Sequence, residues 1–317
     1  MNQNRQRQIG IDFGGTSVKL AVVEGAELAS EVYRIPTQEH GGPDSLIESI
    51  AARLKEVRDQ YPSVSAIGVG VPGAVDFARG ITYNLTNVPG WTSVPLREIM
   101  MEKTGLPTVI ENDANCMAFA EWKYGAGQGF TNVICLTLGT GVGGGLILNG
   151  DLFRGSAYAA GEIGQMSVDC HGVSGPYGNN GALERYIGNR QITELAERKY
   201  REAGQTPSGE LTPETLARLA RGGDTLALDV WDEVATCLGS CLMSCVFLLN
   251  PDAIVIGGGV AHAEEVLFNP LTDKLRSSLT SECFDALKIK AAKFGNTAGI
   301  IGSAAMVAGL EEQGEGN

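Results

Sequence analysis

Basic charge is scarce in this chain. Against 37 Asp and Glu it carries 24 Lys and Arg, a net charge of −13 over 317 residues, and no basic stripe gathers along it. Binding to nucleic-acid phosphates needs such a footprint, so no nucleic-acid partner is expected. Paired cysteines are lacking too. The seven, at 116, 135, 170, 237, 241, 245 and 283, are odd in number and include no CxxC. That points away from a disulfide framework or a zinc ribbon and suits a reducing cytosol. No apolar leader follows the polar start MNQNRQRQ, so no secretory signal is expected. No apolar run reads as long enough to cross a bilayer; residues 237–249 come nearest. These absences leave a cytoplasmic protein with no membrane partner as the expectation.

What is present points to a folded enzyme-sized chain. Hydrophobic residues make up 43% and charged residues 19%, which excludes a disordered chain. The length suggests about two domains. Glycine, at 43 residues, is about twice its usual share and follows no G-X-Y period, so it must serve turns, tight packing or close backbone approach to a ligand. Cys237, Cys241 and Cys245 recur every four residues and read as small buried side chains near one helix face.

Along the chain, residues 9–13, 18–23 and 28–35 read as strands, 43–60 as a helix, and 65–71 as a buried strand. A helix at 95–104, a strand at 108–111 and a helix at 113–124 follow. The order argues an α/β fold with a mixed sheet. The pattern then restarts, with a strand at 132–138, a glycine turn, a strand at 144–148 and a hairpin at Asn149-Gly150. Sliding the first segment by 125 residues puts Ile9 on Ile134, Asp12 on Thr137, Gly14 on Gly139 and Gly25 on Gly150, which makes a duplicated domain the better reading. Residues 167–181 form a long Gly/Ser/Asn-rich loop, helical segments fill 183–249, and strands at 253–256 and 288–292 precede a last helix from about 298.

Four motifs carry candidate chemistry. Asp12-Phe13-Gly14-Gly15-Thr16 lies on a strand-to-strand turn. It is either an ordinary glycine hairpin or a phosphate cradle, with Thr16 donating and Asp12 holding Mg²⁺ through water. Lys19 either adds charge there or is a solvated lysine. Gly139-Thr140-Gly141 repeats the turn in the second half. No G-K-[ST] follows either turn, and a strand rather than a helix comes next, so neither is a P-loop or a dinucleotide fingerprint. Two such turns raise the nucleotide reading. In Ile256-Gly257-Gly258-Gly259, Gly258 and Gly259 either lie against an adenosine or serve close packing. In Glu111-Asn112-Asp113, Asp113 either caps a helix or is a general base, with Asn112 orienting the substrate.

Together IGIDFGGTSVKLAVVE, VIENDANCMAFAE, LTLGTGVGGGLI, GEIGQM, LNPDAIVIGGGVA and NTAGIIGSAA resemble the ROK (repressor, open reading frame, kinase) family of sugar kinases, over residues 9–307. The resemblance implies a duplicated actin/hexokinase-like (ribonuclease H-like) α/β fold of two domains with a cleft between them. The expected domains are 1–114 and 115–297, with the helix from 298 packing back on the first. It implies Asp113 as catalytic base, Asn112, Glu162 and Glu184 as sugar contacts, Gly73 in the loop approaching the sugar, and Asn87 and Trp91 in a nearby N-x-P-G-W stretch. One departure stands out. The family's zinc-binding His is Gln165 here, and its three Cys are Gly175, Tyr177 and Ala182. All four ligands of a tetrahedral site are gone, so zinc is not expected, and Cys170 with His171 are too few to replace it. Gln165 can still hydrogen-bond a sugar.

The expectation is an ATP- and Mg²⁺-dependent hexose kinase acting on the 6-hydroxyl, glucose first. Another hexose (fructose, mannose or N-acetylmannosamine) is the alternative, and a non-catalytic sugar-sensing regulator stands further back. The regulator reading suffers from having only eight residues ahead of the first strand, too few for a helix-turn-helix. The resemblance also suggests a homodimer or homotetramer.

Overall fold

The computed structural model describes residues 6–85, 87–207 and 209–314. The chain opens with an antiparallel hairpin of β1 (Arg7–Phe13) and β2 (Ser17–Glu24). Ile9 and Ile11 face Val22 and Leu20 across it, all four fully buried, because alternate side chains of a pleated strand share one face. The single strand expected over 28–35 is two short ones, β3 (Glu27–Leu28) and β4 (Tyr33–Pro36), paired with different parts of β2. Between them Ser30 Oγ accepts from the Val22 N–H at 2.9 Å, so a side chain takes a ladder bond and the strand breaks.

α1 (Pro43–Gln60) starts on a proline and turns Leu46, Ile47, Ile50, Leu54 and Val57 inward at helical spacing. β5 (Val64–Val71) lies parallel to β1. A small ribbon of β6 (Val75–Asp76) and β7 (Ile81–Thr82) follows. Then come α2 (Leu96–Thr104), β8 (Thr108–Asn112) parallel to β5, and α3 (Asp113–Tyr124). The sheet runs β3-β2-β1-β5-β8, with β4 also on β2.

The second sheet repeats this plan. β9 (Val133–Leu138) and β10 (Val142–Leu148) make a hairpin, and β11 (Asp151–Leu152) follows a turn in which Asn149 and Gly150 both have positive φ, 55° and 75°. An Asn-Gly pair adopts that left-handed turn readily. Four helices come next: α4 (Glu184–Ile187), α5 (Asn189–Glu202), α6 (Pro213–Arg221) and α7 (Thr225–Leu249). β12 (Ala253–Gly257) lies parallel to β9; α8 (Glu265–Ser278), α9 (Ser281–Ala286) and β13 (Lys288–Ala291), parallel to β12, complete the unit. The order β11-β10-β9-β12-β13 matches β3-β2-β1-β5-β8 place for place, as a duplicated chain requires.

α7 corrects one expectation. At 25 residues it is long and apolar enough, by length and composition alone, to cross a bilayer. Its Trp231, Leu238 and Leu242 are fully buried among α5, α6 and α8, as in the core helix of a globular unit. Cys241 and Cys245 join that core and Cys237 borders it.

α10 (Ala298–Gly314) packs against β1, β5 and α3 of the first sheet. Gly10 and Gly68, paired in register, let its backbone reach the sheet: a Cβ on either would stand 1.9 Å from Ile300 O or 1.8 Å from Ser303 O. Gly302 lets α3 in on another side, since a Cβ there would stand 1.7 Å from Cys116 O. Contacts thus divide the chain into one unit of Met1–Gln128, Leu152–Ala160 and Asn296–Asn317 and another of Gly129–Asp151 and Gly161–Gly295. The boundary falls after 128 rather than 114, because α3 belongs with α10.

Candidate active site

In the first unit, Asp12, Gly70 and Glu111 stand side by side on β1, β5 and β8. Asp12 and the Asn112–Asp113 junction therefore sit at the carboxyl ends of parallel strands about 10 Å apart, the place where open α/β sheets bind ligands. Gly70 leaves room between them; a Cβ there would lie 3.0 Å from Cys116 Sγ and 3.6 Å from Asp113 Cα. Burial, and the negative charges of Glu111, Asp113 and Asp12, push the Cys116 thiol well up, so it stays neutral.

The turn after β1 exposes Gly15 and Thr16. Its carbonyls are the atoms tied down: Thr37 donates its N–H to Thr16 O at 3.0 Å and its hydroxyl to Gly15 O at 3.4 Å. The Gly14 N–H bonds within the turn, to Ser17 O at 3.0 Å. Asn87 comes up against Gly15, its Nδ2 3.5 Å from where a Cβ would stand. Trp91 is core instead: it is buried, donates to Thr82 Oγ1 at 2.9 Å and packs edge-on against Phe13. Lys19 is no solvated lysine, for its Nζ lies 3.4 Å from Asp12 Oδ2. Burial pushes the Asp12 carboxyl up, more than Lys19 pulls it down. Gly299, in the first turn of α10, makes room for it, since a Cβ there would meet Asp12 Cγ at 2.9 Å.

The cap of α3 is Asn112. Its Oδ1 accepts from the N–H groups of Ala114 (2.9 Å) and Asn115 (3.1 Å), and its Nδ2 donates to Gly73 O at 3.1 Å. Gly73 holds φ at +82°, a conformation suited to glycine. Asp113 is thereby the first helical residue rather than the cap, with Oδ1 accepting from Ala114 N at 2.8 Å. Beneath them is a pair that sequence reasoning missed: the buried Glu111 carboxylate and Arg154, at 2.6 Å. A charged residue inside an apolar strand was the available signal.

In the second unit the glycine motifs meet. The Gly139 N–H bonds Gly141 O at 3.0 Å, and the first N–H of α5, from Asn189, bonds Gly139 O at 2.8 Å. Glu184 presses on this turn, its Oε2 3.0 Å from where a Gly141 Cβ would be. Thr140 is exposed. Gly258, at φ +86°, must be glycine because a Cβ would stand 2.2 Å from Leu138 O, whereas a Cβ on Gly259 would meet open space. Glu162 is exposed as a residue, yet crowding of its carboxyl and then the charge of Glu184 push its pKa up.

Gln165 closes a short 3-10 turn, and its carbonyl accepts from Asn179 Nδ2 at 2.8 Å. Gln165 Oε1 and Asn179 Oδ1 are buried with no partner among the described residues. The other three family zinc positions diverge in setting: Gly175 packs near Asn179, Tyr177 is 79% exposed, and Ala182 is fully buried. Backbone bonds order the loop instead, among them Val168 N to Gly181 O (2.9 Å), Gly181 N to Val173 O (2.7 Å) and Gly175 N to Asn179 O (2.7 Å). Met166 anchors its start, 3.9 and 3.7 Å from the Cys241 and Cys245 sulfurs.

Residues 8–309 match the model of the ROK family. A glucokinase of Halalkalibacterium halodurans is 34% identical over 311 residues, 94% of each chain. An N-acetyl-D-glucosamine kinase of Salmonella paratyphi A is 30% identical, over 93% of this chain and 97% of that one. The crystal structure of a ROK family glucokinase from Streptomyces griseus in complex with glucose and AMPPNP superposes with a TM-score of 0.79 at 31% identity, covering 95% of this chain and 98% of that one. By sequence and by fold, this chain belongs to the ROK family.

Proposed function

We propose that this protein is a sugar kinase that moves the γ-phosphoryl group of ATP to the 6-hydroxyl of a hexose, glucose first. The observation that carries the proposal is the division of labour at the end of β8. Asn112 does the capping, and the half-buried Asp113 beside it begins α3 at the carboxyl end of β8, the place where an open α/β sheet meets its ligand and a carboxylate can serve as general base. Asp113 takes the proton of the attacking hydroxyl. The exposed turns at Gly14-Gly15-Thr16 and Gly139-Thr140-Gly141 hold the phosphates with backbone N–H groups and threonine hydroxyls, in a reaction that runs on positioning and electrostatics. Gly258 and Gly259 border the nucleoside.

Asp12 offers one carboxylate, and among the described residues no three His, Cys, Asp or Glu side chains converge. That donor set suits Mg²⁺ bound through its waters and the substrate phosphates, and it is too sparse for a zinc site of four protein ligands. Mg²⁺ there would supply charge neutralisation at the phosphates. Glu162, Glu184, Gln165, Gly73, Asn87 and the second hydrogen of the Asn112 amide are the sugar-side groups. An N-acetylhexosamine is the second reading, because a relative at 30% identity bears the name of an N-acetyl-D-glucosamine kinase.

Support for a cytoplasmic setting is that no disulfide joins any of the seven cysteines, all of them among the described residues. A homodimer or homotetramer fits the exposed Phe247 and Leu248 on α7 and is checked by light scattering. The deciding experiment is ADP release from Mg-ATP across a panel of hexoses and N-acetylhexosamines, with Asp113→Ala alongside. Glucose-dependent release that the variant loses supports the proposal. Release with another sugar moves the specificity. No sugar-dependent release across the panel overturns it.

A further inference from the structure

Arg154 belongs to none of the motifs above. It lies just past β11 on residues 152–160, a stretch that joins two runs of the second unit yet packs with the first. Its Nε donates to Glu111 Oε2 at 2.6 Å. Glu111 is only 3% exposed, and its other oxygen accepts from the Asn112 N–H at 2.9 Å and from Asn115 Nδ2 at 3.0 Å. One carboxylate therefore binds the guanidinium, the backbone immediately before Asp113, and the first turn of α3.

The cation is itself held. Its guanidinium carbon lies 3.9 Å from the centroid of the Phe77 ring. Arg97 steadies Phe77 in turn, donating to Phe77 O and, at 2.9 Å, to Ala78 O. The Tyr158 ring packs at 6.4 Å from that of Phe77, and Arg154 O accepts from the Ala160 N–H at 3.0 Å, closing the stretch on itself. A planar fork stacked on a ring has its direction fixed, unlike a lysine ammonium on a flexible stem.

We propose that Arg154 is a positioning residue for phosphoryl transfer: through Glu111 it fixes the junction that aims the Asp113 carboxylate. The proposal rests on Asp113 being the base. A buried ion pair contributes little stability over a well-packed apolar pair, so the geometry it enforces is the stronger reason for its presence. A base displaced by about 1 Å loses on the order of 10²-fold in rate.

The test uses the full chain with its sugar and Mg-ATP, comparing R154M, R154K, the double variant E111Q/R154M and D113A. R154M is expected to lower kcat by ~10²-fold while KM for ATP and sugar stays within about threefold. R154K, which keeps the charge without the fork, should recover only part of the loss. E111Q/R154M removes the stranded buried carboxylate; it should regain wild-type melting temperature without regaining kcat. That split separates aiming from mere stability. If R154M does not fold, the lysine and double variants carry the same expectation. Wild-type kcat in R154M or R154K, or kcat returning with stability in the double variant, overturns the proposal while leaving an inactive D113A in place. Wild-type turnover in D113A removes the base and the positioning role together.

Discussion

The two glycine turns occupy the same place in the same plan and are built differently. The first follows Asp12, whose carboxylate pairs with Lys19, and its carbonyls are tied by a threonine from beyond β4. The second follows Leu138, with Thr137 where the first has Asp12, and is tied by the start of α5 and pressed by Glu184. The two turns thus share a place and differ in setting: the first has charge at the strand ends, the second is packed by α5 and by Glu184 of α4. The sheets differ likewise. Where the first has Gly10 opposite Gly68, the second has Cys135 opposite Val255. The glycine pair is thus not a demand of the shared plan; it is a demand of α10, which lies directly on it.

The largest expected effect breaks this comparison at its chemical end. Asp113→Ala should lower turnover by ~10²–10⁴-fold with sugar affinity nearly unchanged, read by steady-state kinetics and calorimetric titration. Next comes the packing contrast. Gly68→Ala drives a Cβ into Ser303 O and should cost more than about 4 kcal/mol or abolish folding, whereas Cys135→Ala at the place matching Gly10 should cost about 1–3 kcal/mol. Thermal melting of the two variants side by side settles it; equal losses would mean that α10 does not require the gap.

Asn112→Ala removes the cap of α3 and the tie to Gly73 together, for about 1–2 kcal/mol of stability by denaturant titration. The smallest effect is electrostatic. Glu162 is held above its usual value by crowding and by Glu184. The folded protein therefore binds more protons than the unfolded chain between those two values, and stability falls as pH rises through that window. Glu162→Gln should flatten this slope in melting temperature, and Glu184→Gln should move it to lower pH. An unchanged slope in both variants would separate the two carboxylates.

Local signals were legible and long-range ones were not. Helices 43–60 and 113–124 fall on their expected residues because proline at one start and strong helix formers inside are local facts. The glycine turns and the 125-residue offset were legible as repetition. The strand over 28–35 misled because its break depends on Ser30 reaching Val22, a choice that propensity does not encode. The boundary at 114 misled because α3 is claimed by a helix far along the chain. Asn112, not Asp113, caps α3, although both types favour that position; one residue of phase decides it. Arg154 was invisible because nothing near it in sequence announces Glu111, whereas the return of the helix from 298 to the first domain was expected from the family resemblance.

α10 also sets an order of assembly. The second unit is nearly continuous in the chain, so a growing polypeptide can complete it as soon as residue 295 has emerged. The first unit cannot. Its strands are made earliest, but the strip at Gly10 and Gly68 stays uncovered until residues 298–314 arrive. The half that is synthesised first is therefore finished last, and until then the nascent chain presents an open sheet face that a chaperone would have reason to hold.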